Sequence, residues 1–317
     1  MLMTYQFIRY SLDRGVATLT LCRPEVLNSF NRAMAQDVQR ALAAIRDDRS
    51  VRAVLLTGDG RGFCAGQDLA EATAGDVGSI DLGDIVKSNY APMVTAVREL
   101  EKPVVCAVNG VAAGAGASIA FACDIVVASE DAAFIQSFSK IGLVPDTGGT
   151  FFLPRLVGMA RATAMMFLAD KVPARKALEY GMIHAVVPAA ELLDAATGIA
   201  LQLAAMPTKA LGLAKRALNA SWTNDLSSQL VVEEELQRAA GKTEDYAEGV
   251  RAFLEKRKPT YAGRCCRSSR PRRSASSEPA RWEVASRRWR RPRDIASSWS
   301  TRTRRRSRRH ARACRNR

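Results

Sequence analysis

The chain has 317 residues and a formal net charge of +15, from 47 basic and 32 acidic residues. The excess charge comes from residues 264–317, which hold 20 arginines and three acids, so residues 1–263 are slightly acidic and have a globular composition. Two histidines and the lack of any Cys-x-x-Cys pair exclude the common zinc sites and the Ser/His or Cys/His catalytic pairs.

Short apolar runs rich in β-branched residues predict four strands. They cover residues 16–21, 51–57, 104–109 and 124–128. Their weak alternation is typical of strands that are covered on both faces. A helix at 31–46 and an alanine-rich helix at 113–122 lie between them. Strands that alternate with helices predict an α/β fold, and we assign this core to residues 1–200.

The second half of the chain is mainly helical in its pattern. Predicted helices cover 160–169, 174–180, 190–205, 208–221, 226–240 and 243–256. Acidic residues near the start of the last one and basic residues at its end suit the helix dipole. Pro259 then ends the helix. We therefore predict a C-terminal helical region at residues 201–263.

One stretch, residues 104–123, is apolar enough to imitate a membrane span. Only Asn109 and Ser118 are clearly polar in it. Its glycines and alanines, with few long branched side chains, favour a buried strand, turn and helix instead. No signal peptide is visible and four cysteines lie in apolar segments, so we expect a reduced, cytoplasmic protein without membrane contact.

Residues 264–317 contain no Leu, Phe, Tyr, Met, Gly or Lys. Such a segment cannot bury a core, and we expect it to be disordered. Arginine, serine, proline and tryptophan without lysine are typical of a GC-rich frame read out of register. We therefore interpret the segment as frameshifted or otherwise non-native. A basic arm that binds nucleic acid is the alternative.

Asp146 is the residue that says most about chemistry. It lies in the run GLVPDTGGT and is the only carboxylate between Asp131 and Asp170. A short acid in a turn built from glycine and proline, inside an apolar stretch, is rigidly held and poorly solvated. Poor solvation raises a carboxyl pKa and suits it to proton transfer near neutral pH. A structural role, in which Asp146 bonds the backbone of its own turn, is the alternative.

Two glycine-bearing turns follow predicted strands. They are GFCAGQDL at 62–69 and AVNGVAAGAG at 107–116. Small residues let a backbone approach a ligand closely, and helix N-termini present free N–H groups to negative charge. Two such N–H groups that converge on one oxygen form an oxyanion hole. Phosphate binding and tight packing are the alternatives, although neither the dinucleotide fingerprint nor the P-loop pattern fits.

Together these motifs resemble the crotonase (enoyl-CoA hydratase/isomerase) superfamily over about residues 4–263. The resemblance includes RPEVLNS at 23–29, both glycine-bearing turns, GLVPDTGGT and a terminal helix at 248–257. It implies a spiral of ββα units with a C-terminal helical trimerisation region, in a homotrimer or a dimer of trimers. The implied substrate is an acyl-CoA thioester, with no cofactor beyond its CoA moiety and no metal.

The resemblance also assigns roles to residues. The backbone N–H groups of Gln67 and Ala115 would form the oxyanion hole, and Asp146 would be the catalytic acid and base. Gly114, Ser118 and Phe138 would line the substrate pocket, with further walls from distant segments such as 80–92. The residues expected to contact CoA are Arg23, Val26, Ala65, Gly66, Asp68 and Leu69, with Phe253 and Lys256 contributed by a neighbouring subunit.

Ser118 and Phe138 stand where hydratases of this family hold water between two glutamates. Hydration should therefore be very slow, and the remaining acid, Asp146, would move a proton between two carbons of one substrate. The implied isomerase reactions are conversion of ring-1,2-epoxyphenylacetyl-CoA to oxepin-CoA and movement of a 3-enoyl-CoA double bond to the 2-position. A hydratase that uses Asp146 is the second hypothesis, and nucleic-acid binding through the Arg-rich segment is the third.

Overall fold

The structure, a computed structural model, describes residues 4–72 and 81–263. These residues form one compact unit. The segment 264–317, with the expectations that it is disordered and not native, lies outside the described residues. The alternative that this segment binds nucleic acid therefore also concerns residues outside the described part of the chain.

The described residues contain ten strands in two sheets. The strands are β1 (Ile8–Asp13), β2 (Val16–Leu21), β3 (Ala53–Gly58), β4 (Gly62–Cys64), β5 (Val104–Val108), β6 (Val111–Ala113), β7 (Ile125–Ser129), β8 (Ala133–Ile135), β9 (Val172–Pro173) and β10 (Ala185–Val187). The larger sheet has the order β1-β2-β3-β5-β7-β10, and the smaller has the order β4-β6-β8-β9. Both are mainly parallel, with β1 and β9 as antiparallel edge strands.

Twelve α-helices lie in the described part of the chain. They are α1 (Arg32–Asp47), α2 (Leu69–Ala72), α3 (Leu82–Ile85), α4 (Ala91–Glu99), α5 (Ala115–Ala122), α6 (Gly149–Val157), α7 (Met159–Leu168), α8 (Ala174–Glu179), α9 (Leu192–Ala204), α10 (Thr208–Ser221), α11 (Leu226–Ala240) and α12 (Glu244–Leu254). Shorter turns are π-helical at Val86–Tyr90 and 3-10 helical at Pro24–Val26, Ser137–Ile141 and Ala189–Glu191.

Successive strands alternate between the two sheets. From β3 to β8 the chain adds one strand to the larger sheet and the next to the smaller, as in β3 with β4, β5 with β6, and β7 with β8. Helical structure follows each pair. The chain therefore winds as the predicted spiral of ββα units. Because β4 and β6 are parallel neighbours, the turns that follow them come to the same edge of the smaller sheet.

The main elements agree with prediction. β2, α10 and α11 have the predicted bounds, and α1 begins after Asn31, whose side chain accepts a hydrogen bond from Met34 N at 2.8 Å. The helix predicted at 113–122 begins two residues later. Its expected first residue, Ala113, instead ends β6, where it pairs with Ile135 of β8.

The apolar stretch 104–123 forms β5, β6 and α5, as predicted for a buried strand, turn and helix. In the described ranges no single helix is long and apolar enough to cross a membrane. Only the pair Ala189–Ala204 and Thr208–Ser221, bent by 103°, reaches that length and composition together.

α9 packs on the outer face of the larger sheet. Leu192, Ala196 and Ala200 lie in one cluster with Val105 of β5 and Val127 of β7. The boundary predicted at residue 200 therefore falls inside a helix that covers the sheet, and the helices α10 to α12 follow it.

Candidate active site

Backbone hydrogen bonds hold the first glycine-bearing turn on both sides of Gln67. Gly66 O accepts from Phe30 N at 2.7 Å, and Asp68 N donates to Phe30 O at 2.9 Å. Since these bonds flank Gln67, its own N–H faces away from Phe30, and it donates to no acceptor within residues 4–72 and 81–263. The turn therefore presents a free backbone donor where the sequence predicts one.

The second turn gives the N–H of Ala115 no acceptor among the residues that the structure describes. Gly114 adopts a φ of +51° and donates its own N–H to Ile135 O at 2.8 Å. α5 begins at Ala115, and its first bond runs from Ser118 N to Gly114 O at 3.1 Å. The first N–H groups of a helix have no partner within it, so Ala115 N–H is available to a ligand.

The two turns are in direct contact. A Cβ at Gly66 would lie 2.9 Å from Ala113 O and 3.5 Å from Ala115 N. A Cβ at Gly116 would lie only 2.3 Å from Cys64 O, so no side chain fits between the turns there. The structure thus brings together the two turns that carry the Gln67 and Ala115 amides, while their role as an oxyanion hole stays a prediction.

Asp146 lies half-buried just before α6. Its Oδ1 accepts a hydrogen bond from Thr147 Oγ1 at 2.7 Å, and its backbone oxygen accepts one from Gly149 N at 2.7 Å. Thr147 and Gly148 both have positive φ, so the turn is sharply defined. Burial raises the pKa of the Asp146 carboxyl, and the Thr147 hydrogen bond opposes this only in part. The direction is the one predicted.

The three residues predicted to line the substrate pocket lie together. Ser118 is fully buried on α5, and its hydroxyl donates to Gly114 O at 3.2 Å. The Phe138 ring packs beside Gly114, because a Cβ on that glycine would be 3.5 Å from a ring carbon. Ser118 also lies against Gly149, three residues after Asp146. Of the side chains Ser118, Phe138 and Asp146, the last alone is acidic.

A sequence profile described as Enoyl-CoA hydratase/isomerase matches residues 11–264. The chain belongs to the enoyl-CoA hydratase/isomerase family. Its mixed α/β architecture, with parallel sheets wound as a spiral, matches that of solved family members, as the resemblance implied.

Relatives in this enoyl-CoA hydratase/isomerase family carry different activities in their names. The "1,2-epoxyphenylacetyl-CoA isomerase" of Escherichia coli K12 is 49% identical over 260 residues, covering 82% of this chain and 99% of that protein. A "Probable enoyl-CoA hydratase" of Rhodobacter capsulatus is 44% identical over 262 residues, covering 83% of this chain and 100% of that protein.

Solved structures of the family have the same fold. A putative enoyl-CoA hydratase/isomerase from Mycobacterium abscessus is 38% identical, with a TM-score of 0.77 over 81% of this chain and 100% of that one. A putative enoyl-CoA hydratase from Streptomyces coelicolor is 37% identical, with a TM-score of 0.78 over 82% of this chain and 96% of that one.

The residues expected to bind CoA near the first turn form one connected surface. Arg23 Nη2 pairs with Asp68 Oδ2 at 2.8 Å, and Arg23 Nη1 donates to Ser29 O at 2.6 Å. Val26 lies in the 3-10 turn that follows, and Ala65 N donates to Leu27 O at 2.9 Å. Gly66 is buried within the same turn, and Leu69 beyond it is exposed. The ion pair makes Asp68 a brace between the two segments.

Phe253 and Lys256 are the two predicted CoA contacts near the end of the described chain, and they are not connected to the others by hydrogen bonds between described residues. Phe253 is on α12 with 83% of its surface exposed, and Lys256 follows with a φ of +54°. Within the described residues no side-chain hydrogen bond or ion pair links either of them to the other predicted CoA contacts. The expectation that they act on a neighbouring subunit stays a prediction.

Tyr90 is a site residue that sequence reasoning did not identify, beyond expecting pocket walls from 80–92. It ends the π-helical turn, is 1% exposed, and donates its hydroxyl hydrogen to Gln67 Oε1. Burial raises the pKa of the Tyr90 phenol, and the nearby Cys64 and Asp146 raise it further. The phenol therefore stays protonated, within electrostatic reach of the predicted base.

Proposed function

We propose that the protein is an acyl-CoA isomerase that moves a proton between two carbons of one acyl group. The observation that carries the proposal is the neutral character of Ser118 and Phe138 beside a single half-buried carboxylate, Asp146. One carboxylate is enough to take a proton from one carbon and return it to another. The isomerase name of the relative that is 49% identical supports the same reaction class.

In the proposed mechanism the thioester oxygen accepts hydrogen bonds from Gln67 N–H and Ala115 N–H. Asp146 removes a proton from C2, and the electron pair moves onto the thioester oxygen to form an enolate. Each backbone donor contributes about 3 kcal/mol of barrier lowering at such a site. For a 3-enoyl-CoA the protonated Asp146 then delivers the proton to C4, which gives the 2-enoyl-CoA.

The finer substrate that we propose is ring-1,2-epoxyphenylacetyl-CoA, converted to oxepin-CoA in phenylacetate catabolism. The E. coli relative, named as an isomerase of this epoxide, supports it. Movement of a double bond in a 3-enoyl-CoA of fatty acid metabolism uses the same proton transfer. Hence one Asp146 site serves both substrates.

CoA binding and assembly are part of the proposal. Arg23, Val26 and the turn at 65–69 would hold the adenine and pantetheine, and Phe253 with Lys256 would close the site from a neighbouring subunit. We propose a homotrimer or a dimer of trimers in the cytoplasm, with no cofactor beyond CoA. Apolar side chains exposed on α11 and α12, including Leu226 and Leu254, support a subunit contact there.

A hydratase is the second candidate, and the Rhodobacter relative with a hydratase name favours it. Asp146 would then activate water rather than return a proton to carbon. The two candidates separate when purified protein is given a 2-enoyl-CoA and a 3-enoyl-CoA. An isomerase converts the 3-enoyl-CoA rapidly and hydrates the 2-enoyl-CoA slowly. Fast hydration would favour the second candidate.

The decisive variant is Asp146→Asn, which keeps the shape of the side chain and removes its basicity. We expect isomerisation to fall by about 10³-fold, while the Kd for a non-reacting acyl-CoA stays within about threefold. Asp170→Asn, at an exposed aspartate, is the matched control and should keep full activity. Full activity in Asp146→Asn would contradict the proposal that Asp146 transfers the proton.

A further inference from the structure

The side-chain amide of Gln136 is buried without a partner. Gln136 is 1% exposed, and neither its Nε2 nor its Oε1 has a hydrogen-bond partner in the described part of the molecule. Leaving both a donor and an acceptor unpaired in a protein interior costs stability. A leucine of similar shape would avoid that cost, so the amide calls for another explanation.

Gln136 lies between the two elements that carry the proposed chemistry. It follows β8, whose last residue, Ile135, accepts the hydrogen bond from Gly114 N just before Ala115. On the other side it reaches Gly149, since a Cβ there would lie 3.4 Å from Gln136 Oε1. Gly149 in turn donates its N–H to Asp146 O.

Ser118 flanks the same point. The Cβ position of Gly149 lies 2.8 Å from Ser118 Oγ. Ser118 donates its hydroxyl hydrogen to Gly114 O at 3.2 Å. Its Oγ keeps lone pairs that can accept a hydrogen bond. Gln136 and Ser118 carry no charge, so they cannot take a proton from water. Gln136 Nε2 can donate a hydrogen bond to an oxygen atom there, whereas Ser118 Oγ can only accept one, from a hydroxyl hydrogen.

We infer that Gln136, beside Ser118, provides a neutral hydrogen-bonding subsite for an oxygen atom of the acyl group, such as an epoxide, ring ether or hydroxyl oxygen. The inference rests on the proposed function in taking the acyl group to lie beside Asp146. The subsite is separate from the Gln67 and Ala115 amides, which would hold the thioester oxygen. Gln136 Nε2 donates to the acyl oxygen, which gives the buried amide its missing partner.

The subsite determines specificity. An acyl group with an oxygen at this position gives the Gln136 Nε2 donor an acceptor, whereas an all-carbon chain leaves that donor unpaired. Sites built around a hydrogen bond reject an analogue that lacks it far more strongly than apolar pockets reject a missing methylene. The enzyme should therefore prefer oxygen-bearing acyl groups to hydrocarbon ones of the same shape.

The test uses two non-reacting probes that differ in one ring atom, tetrahydropyran-3-ylacetyl-CoA, whose ring oxygen is not attached to C3 and cannot be eliminated, and cyclohexylacetyl-CoA. Calorimetry gives the Kd of each for the full chain, for Gln136→Leu, and for the control Gln202→Leu, an exposed glutamine on α9. We expect the wild type and the control to prefer the oxygen-bearing ring by about 10-fold, the worth of one neutral hydrogen bond. Gln136→Leu should lose that preference.

Thermal unfolding separates this subsite from a structural hydrogen bond. Because Leu removes an unpaired buried amide, Gln136→Leu should keep or raise the Tm of the free protein. A clear fall in Tm, with both probes weakened equally, would mean that the amide is paired within the fold and would overturn the inference. Gln136→Met is the second variant; it also lacks the amide and should lose the preference without a fall in Tm.

The outcomes for this subsite and for the proposed function are distinguishable. A wild-type protein with no preference between the probes, but with isomerisation that depends on Asp146, contradicts the subsite alone. Isomerisation that survives Asp146→Asn contradicts the proposed function, and the preference measured with non-reacting probes is then read independently.

Discussion

The phenolic hydroxyl of Tyr90 donates a hydrogen bond to the side-chain oxygen of Gln67. The contact joins the π-helical turn Val86–Tyr90 to the first glycine-bearing turn. A π-helical turn in a helical segment often marks a functional site, and here it brings a buried phenol to Gln67. Since the Gln67 backbone is held independently by Phe30, the phenol orients the Gln67 side chain rather than its N–H.

Tyr90→Phe should therefore reduce activity only moderately. We expect kcat/KM to fall by about 3- to 10-fold, because the lost hydrogen bond is worth about 1 kcal/mol and frees the Gln67 side chain to move. Steady-state kinetics on a 3-enoyl-CoA measures it, with Tyr10→Phe on the edge strand β1 as control. A loss as large as that of Asp146→Asn would instead mean that the phenol takes part in proton transfer.

Ala115→Pro removes a proposed oxyanion donor without breaking a hydrogen bond within the protein. Ala115 is the first residue of α5, where proline is tolerated because that N–H has no partner in the helix. We expect kcat to fall by about 10²- to 10³-fold. Ala115→Gly, which keeps the N–H, should stay near wild-type activity, and circular dichroism should give both variants native spectra.

The same reasoning predicts that Gln67→Ala is mild. Its backbone N–H is fixed by the hydrogen bonds of Phe30 to Gly66 and Asp68, which the substitution leaves in place. Activity should stay within about 10-fold of wild type, well short of the loss expected when an oxyanion donor is removed. A 10³-fold loss in kcat would show that the amide side chain, not the N–H, carries the function.

Asp146 should also make stability depend on pH. Burial raises its folded pKa above the ordinary value of 3.8, so between these two pKa values the folded protein binds more protons than the unfolded chain. The contribution of Asp146 to stability therefore falls as pH rises through that window. Asp146→Asn should exceed the wild type in Tm at pH 7, and the difference should vanish below the ordinary pKa.

The activity of the wild type should follow the same carboxyl group. Proton removal requires the ionised form, so kcat/KM should fall on the acid side with a midpoint above 3.8. Thermal scans and rate profiles on the same buffer series measure both effects, with Asp170→Asn as control. A midpoint at or below the ordinary pKa would contradict a desolvated catalytic carboxylate.

The C-terminal helices provide a prediction about assembly. A groove of about 650 Å³ among α10, α11 and α12 is lined by apolar residues that include Val250, Phe253 and Leu254. Sedimentation should give a trimer or hexamer, and Leu254→Asp should shift it toward monomers because it puts a charge into an apolar contact. If Phe253 serves a neighbouring subunit, the affinity for CoA should fall when Leu254→Asp breaks the assembly into monomers. A monomeric wild type would contradict the proposal.

Sequence reasoning found the strands and helices with long apolar patterns. It missed β4, β6, β8 and β9, because two or three residues are too short for a periodicity to be visible. It missed β1 because only Ile8 of its six residues is buried, so the strand has no clear apolar pattern. It also missed α6, whose interior contains Pro154, a residue that argues against a helix.

For the site, local motifs were informative and distant contacts were not. Gln67, Ala115 and Asp146 lie in turns whose glycines mark a close backbone approach, so their neighbourhoods could be predicted. Tyr90 and Gln136 carry no such mark, since a buried tyrosine and a buried glutamine look like ordinary core or helix residues. Tyr90 matters because of its contact with Gln67, which is 23 residues away in the sequence. Gln136 matters because its amide has no hydrogen-bond partner among the described residues.

The way Phe30 holds the first turn has a consequence for substitutions at residue 67. Main-chain bonds to Gly66 and Asp68 fix the Gln67 N–H whatever side chain residue 67 carries. A mutation at 67 can therefore change the side chain while the backbone amide stays where it is. Under the proposed function, such a mutation would alter the contacts with the substrate and keep the oxyanion donor.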